Sequence, residues 1–136
     1  MKRAYVDANV ILRYLTKDPP EMGEKALKVF LEAKEGQIVL LITALTVAEI
    51  VWVLESFYGH PKSQISETLI QFLSSDGLEV EDLDLLIGAL TLYHEKNIDF
   101  ADAFLAAQGL RRGPSSIYSF DHHLKRVSGI TVLNPV

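Results

Sequence analysis

The pattern of apolar and polar residues changes along the chain. Some segments have the apolar runs of strands, and others have the three- and four-residue spacing of helices. Apolar runs rich in β-branched and aromatic residues predict strands at residues 2–6, 37–42, 78–80, 116–120 and 130–133. Apolar positions three and four residues apart predict helices at residues 10–15, 21–35, 44–58, 63–74, 82–96 and 99–111. Turn signals such as Gly59-His60-Pro61 and Gly113-Pro114 separate these elements.

Strands that alternate with helices in this way predict an α/β fold. The expected architecture is a three-layer α/β/α sandwich around a central, mostly parallel sheet. Residues 38–42 are apolar at every position, which is typical of a strand covered on both faces. With 136 residues and no repeats or linkers, the chain is expected to form a single domain over residues 1–136.

Composition narrows the possible chemistry. The absence of cysteine excludes disulfides, thiolate catalysis and cysteine-ligated metal centres. No signal peptide is evident and the apolar runs are too short to span a membrane, so we expect a cytoplasmic protein. The net charge of −5 argues against a passive nucleic-acid coat. It permits a nuclease whose acids hold divalent cations where the phosphate must lie.

Two acids stand at the ends of predicted strands. Asp7 follows the first strand, and Asp121 follows the strand at residues 116–120. In open α/β sheets the ligand crevice lies outside the carboxyl ends of the strands, so both acids are placed for chemistry. The alternative for Asp7 is that it only caps the following helix, for which Asn9 is the favoured cap.

Glu49 lies in a helical segment that is apolar on nearly every side. We therefore expect this helix to be buried all round. Trp52, Phe57 and Tyr58 are expected to lie in the core, with a protein interface as the alternative. An ionised glutamate buried without a partner would cost several kcal/mol, so Glu49 would need a cation. The alternatives are an ion pair with an arginine such as Arg13, or a Glu49 side chain that emerges at the surface.

Asp102 has a similar setting in a helix rich in small and aromatic residues. Asp99, three residues earlier, is the expected N-cap of that helix, which leaves Asp102 one turn along the same face. A favourable interaction of a first-turn acid with the helix dipole is the alternative explanation for Asp102. Its alanine and phenylalanine neighbours favour close packing and a role in a site.

Four acids, Asp7, Glu49, Asp102 and Asp121, are thus candidates for one site. Clustered carboxylates raise one another's pKa unless cations hold them ionised. A site made of oxygen ligands, without cysteine or paired histidines, favours Mg²⁺ or Mn²⁺ over zinc. The chemistry that suits such a site is phosphodiester hydrolysis.

Four segments together resemble the PIN-domain family of metal-dependent ribonucleases, and within it the VapC-type toxins. The segments are Val6-Asp7-Ala8-Asn9-Val10 with the following Leu-Arg-Tyr-Leu, Ala48-Glu49-Ile50, residues 99–107 (Asp-Phe-Ala-Asp-Ala-Phe-Leu-Ala-Ala) and Ser119-Phe120-Asp121. The resemblance covers essentially the whole chain. It rests on the order and separation of the four segments, each of which is weak alone.

The resemblance implies that the four acids bind Mg²⁺ or Mn²⁺ and carry the catalysis. It also implies that Asn9 helps to order them, that Asp99 is a companion acid, and that Ser119 stands where the family often has Thr or Ser. The family cleaves RNA and usually works as a homodimer, and its VapC branch is silenced by a cognate antitoxin. The implied function is therefore a metal-dependent endoribonuclease, the toxin of a toxin-antitoxin pair.

Two other classes of function are considered beside this enzyme. One is a PIN fold that acts mainly as a protein- or RNA-binding module with little catalysis, although a complete set of costly acids favours the enzyme. The other, a phosphotransfer receiver, would need an early acid pair and a late lysine, and neither is evident. Residues considered as phosphate contacts, with surface solvation as the alternative for each, are Arg13, Arg111, Arg112, Lys125 and Arg126.

Overall fold

The structure is a computed structural model that describes residues 2–136. Its elements in chain order are β1 (Lys2–Tyr5), α1 (Ala8–Thr16), α2 (Pro20–Lys34), β2 (Ile38–Ile42), α3 (Ala44–Ser56), α4 (Lys62–Leu73), β3 (Leu78–Val80), α5 (Leu83–Glu95), α6 (Phe100–Arg112), β4 (Ser116–Tyr118), a 3₁₀ turn (His122–Arg126) and β5 (Thr131–Leu133). They fall into two compact units. Unit 1 contains the chain up to Gly59 and Gln71–Glu81, and unit 2 contains His60–Ile70 and Asp82–Val136.

Unit 1 is built on a three-stranded sheet in the order β1-β2-β3, with both strand pairs parallel. β2 is the central strand, and its residues Ile38, Leu40 and Ile42 are buried while the residues between them are half-buried. The helices that connect parallel strands lie on the faces of a sheet, which explains why β2 is apolar on both sides. The prediction from the continuous apolar run is confirmed.

An aromatic cluster ties the helices of unit 1 together. The rings of Tyr14 from α1, Phe30 from α2 and Phe72 from the end of α4 have centroids 4.5 to 5.9 Å apart. Rings at these separations add about 0.5–1.5 kcal/mol per pair to the stabilisation from burial. The cluster fixes α1 against α2, and with it the start of α1, where Asp7 lies.

Unit 2 is organised around helices α5 and α6, which pack against each other through buried apolar residues. Leu86, Leu90 and Tyr93 of α5 and Ala103 and Ala106 of α6 are fully buried. The small side chains of α6 allow close packing. β4 and β5 form a parallel pair, and the 3₁₀ turn contributes Leu124 to the core.

The predicted fold class is confirmed. Within residues 2–136 all strand pairs are parallel, and helices and strands occur at the predicted places in the chain. β4 ends at Tyr118, two residues before its predicted end. The hydroxyl oxygen of Ser119 accepts the backbone N–H of Asp121, and such a local bond competes with strand pairing. Nowhere in residues 2–136 is a helix long and apolar enough to cross a bilayer.

The prediction of a helix buried all round is wrong for α3. Its buried residues are Val47, Ile50, Val51 and Leu54, a single stripe at helical spacing. The opposite side is exposed, including Glu49, Trp52 at 67% and, after the helix end, Phe57 at 76%. A uniformly apolar helix does not reveal which side packs, so the expectation that Trp52 and Phe57 lie in the core is wrong.

Candidate functional site

Asp7 is the N-cap residue of α1. It follows the buried Val6, has an extended backbone, and accepts the N–H of Val10 on its Oδ1 at 3.1 Å. Capping is therefore one role of Asp7, and the choice of Asn9 as cap is wrong because Asn9 lies inside α1. A carboxylate has about four acceptor positions, so one capping bond leaves capacity for a cation.

A cavity of about 280 Å³ opens beside Asp7 in unit 1. Its lining residues are Asp7, Asn9, Val10, Arg13, Met22, Lys25, Ala26 and Val29. Arg13 donates from Nη1 to the carbonyl of Asp18 at 2.7 Å, and its buried Nε has no hydrogen-bond partner among the described residues. A buried donor without an acceptor is costly, so an acceptor supplied by a ligand would stabilise this region.

Glu49 is an exposed residue on α3, so it needs no buried cation to explain it. The alternative that it emerges at the surface is the observed one, and Arg13 is occupied with the Asp18 carbonyl instead. The N-terminus of α3 binds a different acid. Glu81, which follows β3, accepts the N–H of Ala44 on Oε1 at 2.8 Å.

Glu81 is an acid that the sequence reasoning missed. It could have been found, because it stands directly after the predicted strand at residues 78–80, as Asp7 and Asp121 stand after theirs. A carboxylate at a helix N-terminus interacts favourably with the helix dipole and the free N–H groups. Glu81 therefore joins the end of β3 to the start of α3.

Unit 2 brings three acids into electrostatic contact. The pKa of the half-buried Asp102 carboxyl is raised, first by burial and then by the negative charges of Asp121 and Asp99. The nearby His123 acts in the opposite direction. Asp99 occupies the N-cap position of α6, as predicted, although its side chain makes no capping bond there. The sequence interpretation that placed Asp102 and Asp99 on one face is consistent with this coupling.

Asp121 caps the 3₁₀ turn. Its Oδ1 accepts the N–H of His123 at 2.9 Å and lies 3.2 Å from Nδ1 of the same histidine. Ser119 holds the residue before the turn, because its Oγ accepts the N–H of Asp121 at 2.9 Å. The sequence reasoning considered His122 and His123 only as possible RNA contacts and missed the contact between His123 and Asp121, for which the separation of two residues was the available signal.

The five basic residues considered as phosphate contacts differ in their surroundings. Arg126 donates from Nη1 to the carbonyls of Lys96 and Asn97, at 3.3 and 2.7 Å, where α5 ends. Arg112 pairs with Asp82, and Arg111 lies 3.8 Å from Asp84. Arg13 lines the cavity beside Asp7. Lys125 is an exposed residue of the 3₁₀ turn.

The donor set of unit 2 has the chemistry of a divalent-metal site. Asp102 and Asp121 offer oxygen ligands, and their mutual repulsion is the kind that a cation relieves. Among residues 2–136, no group of three or more aspartate, glutamate or histidine side chains lies close enough together to hold one ion. The residues fit the metal by ligand type and by charge.

Comparison with known proteins assigns the family. A search among curated proteins gives no match. A family model described as PIN domain matches residues 4–130, which include Asp7, Glu49, Asp102 and Asp121. This match spans both units and nearly the whole chain. The chain therefore belongs to the PIN domain family, whose members are generally nucleases.

Proposed function

We propose that the chain is a divalent-metal-dependent endoribonuclease that hydrolyses RNA phosphodiester bonds. The observation that carries the proposal is the coupled acid group of unit 2. Burial and the charges of Asp121 and Asp99 disfavour the ionised form of Asp102, which is a costly arrangement in a purely structural role. In a member of the PIN domain family, a cation bound by these acids would offset this cost.

The metal ligands in this proposal are Asp7 and Asp102, with Asp121 binding directly or through a water molecule. Glu49 binds a second ion or orients the attacking water. A Mg²⁺ or Mn²⁺ ion held by these residues would supply positive charge to the phosphate and would activate a water molecule. The exposure of Glu49 and the spare acceptor positions of Asp7 are compatible with these roles.

Other residues of the chain position the acids. Ser119 holds the backbone of Asp121 through its Oγ, and His123 lies against the Asp121 carboxylate. Asn9 lies in the first turn of α1, close in sequence to Asp7. We propose that these residues orient the acids, with Asp99 adding negative charge that strengthens cation binding.

RNA binding requires positive charge in a protein whose net charge is −5. We propose that Lys125 and Arg13 contact phosphate groups, with Arg111 and Arg112 contributing at the surface of unit 2. Arg126 is better explained as a structural residue, because its guanidinium already binds two carbonyls at the end of α5.

We further propose that the chain is a cytoplasmic toxin of the VapBC type, which forms a homodimer and is silenced by a cognate antitoxin. Support for a protein interface comes from the exposed apolar side chains of α3, among them Leu45 and Trp52. The largely apolar cavity beside Asp7 is a second surface that a partner segment could fill. The toxin role, the homodimer and the antitoxin partner are all proposed from the resemblance to the VapC-type toxins.

The nuclease proposal is tested with purified chain, a pool of structured and single-stranded RNAs, and Mg²⁺ or Mn²⁺. Parallel reactions contain EDTA, or an Asp102→Asn variant whose fold is checked by circular dichroism. We expect cleavage that requires metal and is lost in the variant. Equal cleavage by the folded variant would overturn the site assignment, and RNA binding without cleavage under any metal would favour the binding module.

The toxin proposal is tested in cells. Induced expression of the wild-type chain should stop growth, and expression of Asp102→Asn should not. Where a short reading frame neighbours the gene, its co-expression should restore growth, and its product should co-purify with the chain. Unimpaired growth with active enzyme present would indicate a housekeeping nuclease.

A further inference from the structure

The segment that carries Asp121 also presents two exposed aromatic rings. Phe120 is 82% exposed and Tyr118 is 71% exposed. Phe120 stands between Ser119 and Asp121, so its Cα lies only about 3.8 Å from that of a proposed metal ligand. The exposed ring therefore belongs to the same short segment as a proposed metal ligand.

The backbone around Phe120 is fixed by hydrogen bonds on both sides. The N–H of Ser119 donates to the carbonyl of Leu133 at 3.0 Å, and the N–H of Asp121 donates to Ser119 Oγ at 2.9 Å. The N–H of His123 donates to Asp121 Oδ1 at 2.9 Å. The ring of Phe120 is thus held at the surface by an ordered segment, which reduces the entropy lost when it binds a ligand.

A cavity of about 410 Å³ begins at Tyr118. Leu105, Ile117 and Tyr118 give it apolar walls, and Gln108 and Arg112 give it hydrogen-bonding groups. All of these residues belong to unit 2. Flat apolar surface together with amide and guanidinium groups is the combination that binds unpaired nucleobases.

We propose that Phe120 is a stacking platform for one nucleobase of single-stranded RNA beside the cleaved bond, and that the cavity at Tyr118 receives a neighbouring base. This inference rests on the proposed nuclease function and adds the feature that selects unpaired RNA. Stacking on aromatic rings is a general way to bind single strands, since every base has a π face.

The surroundings of Phe120 favour RNA over a protein as the occupant. A protein interface needs a contiguous apolar patch, and Phe120 is flanked by the polar Ser119 and the acidic Asp121. The 3₁₀ turn that follows contains His122, His123 and Lys125, all exposed. A lysine and two hydrogen-bonding imidazoles close to an exposed ring match the alternation of phosphate and base along a nucleic acid strand.

The test compares Phe120→Leu, Phe120→Trp and the control Phe57→Leu in steady-state cleavage of a single-stranded RNA. Leucine keeps apolar surface and removes the π face, whereas tryptophan keeps the π face. Phe57 matches Phe120 in type and exposure but lies at the end of α3. We expect Phe120→Leu to raise KM roughly tenfold with little change in kcat. Phe120→Trp and Phe57→Leu should remain close to wild type.

A second series identifies the stacked base. Substrates that lack one base at successive positions around the cleaved bond are cleaved by wild type and by Phe120→Leu. At the stacked position the KM values of the two enzymes should become equal, because the contact is already missing. A substitution penalty that persists at every abasic position would overturn the stacking assignment.

Binding without cleavage separates the two proposals. Fluorescence anisotropy of labelled RNA is measured with Asp102→Asn, alone and combined with Phe120→Leu, and the combined variant should bind about tenfold more weakly.

If wild type cleaves RNA but Phe120→Leu has an unchanged KM, only the stacking proposal fails. If wild type neither cleaves nor binds RNA, both proposals fail. If Phe120→Leu instead changes the mass of the oligomer, Phe120 is a protein contact and the stacking proposal is overturned.

Discussion

The two units use their candidate acids differently. In unit 1, Asp7 caps α1 and Glu49 is exposed on the surface of α3. In unit 2, Asp102 experiences the negative charges of Asp121 and Asp99, and burial together with these charges raises the pKa of Asp102. Asp7 stabilises a helix through a defined hydrogen bond, whereas Asp102 carries an electrostatic cost.

This difference shows which acid position needs a functional explanation most. A capping carboxylate stabilises its helix by about 1 kcal/mol, so Asp7 would be useful without any catalysis. The burial of Asp102 beside two other acids instead disfavours its ionised form. The structural argument for a cation is therefore stronger in unit 2, and the predictions below test whether unit 1 shares the site.

The largest expected effect separates capping from catalysis at Asp7. Asn and Ser are good N-cap residues, so Asp7→Asn and Asp7→Ser should fold with nearly unchanged stability. Because they lack the negative charge, we expect each to lower kcat by about a hundredfold or more. Asp7→Ala should lose the same activity and about 1 kcal/mol of stability in urea unfolding. A fully active Asp7→Asn enzyme would reduce Asp7 to a cap.

Glu49→Gln should lower activity without affecting stability. The side chain is exposed, so the change in free energy of unfolding should stay within about 0.5 kcal/mol. If Glu49 binds a second ion or orients water, kcat should fall about ten- to a hundredfold. Glu55→Gln, on the same helix, serves as the matched control. Equal activity of the two variants would leave Glu49 as a surface residue.

The third prediction concerns pH and stability in EDTA. Because the pKa of Asp102 is raised above 3.8, the folded chain binds this proton more tightly than the unfolded chain does. The stabilisation is therefore complete below about 3.8 and is lost as pH rises through the folded pKa. Asp102→Asn does not titrate, so its Tm at pH 7 should be higher than that of wild type. The difference should shrink as pH falls toward 3.8.

Two controls accompany this measurement. Asp76→Asn removes an exposed negative charge from a turn of unit 1 and should leave Tm nearly unchanged. Addition of Mg²⁺ should raise the Tm of wild type more than that of Asp102→Asn, because a ligand that binds only the folded state stabilises it. A less stable Asp102→Asn at pH 7 would contradict the repulsion argument.

The smallest expected effect distinguishes structural from RNA-binding cations in unit 2. Arg126→Ala removes hydrogen bonds to the carbonyls of Lys96 and Asn97 and should cost about 1 kcal/mol of stability. Lys125→Ala should leave stability unchanged and raise KM, with a weaker dependence of KM on salt. The two variants are compared by urea unfolding and by cleavage at two salt concentrations. If Lys125→Ala lowered stability and Arg126→Ala raised KM instead, Lys125 would be the structural residue and Arg126 the RNA contact.

Much of the fold followed from local patterns. The apolar run of β2, the turns at glycine and proline, and the helical spacing of α2 report local periodicity, which is decided within a few residues. The strand-end positions of Asp7 and Asp121 followed from the same patterns. Local patterns did not show which residue caps α1. Asp7 and Asn9 are both good caps, and the choice depends on where the chain leaves the sheet.

The sequence by itself determined the order of helices and strands, the parallel class of the fold, and the acids that are candidates for the site. Only the tertiary structure decided that one stripe of α3 is buried, that Glu49 lies outside, and that Asp99, Asp102, Asp121 and His123 interact. The physical reason is that burial and electrostatic coupling depend on residues distant in the chain, which local periodicity does not report.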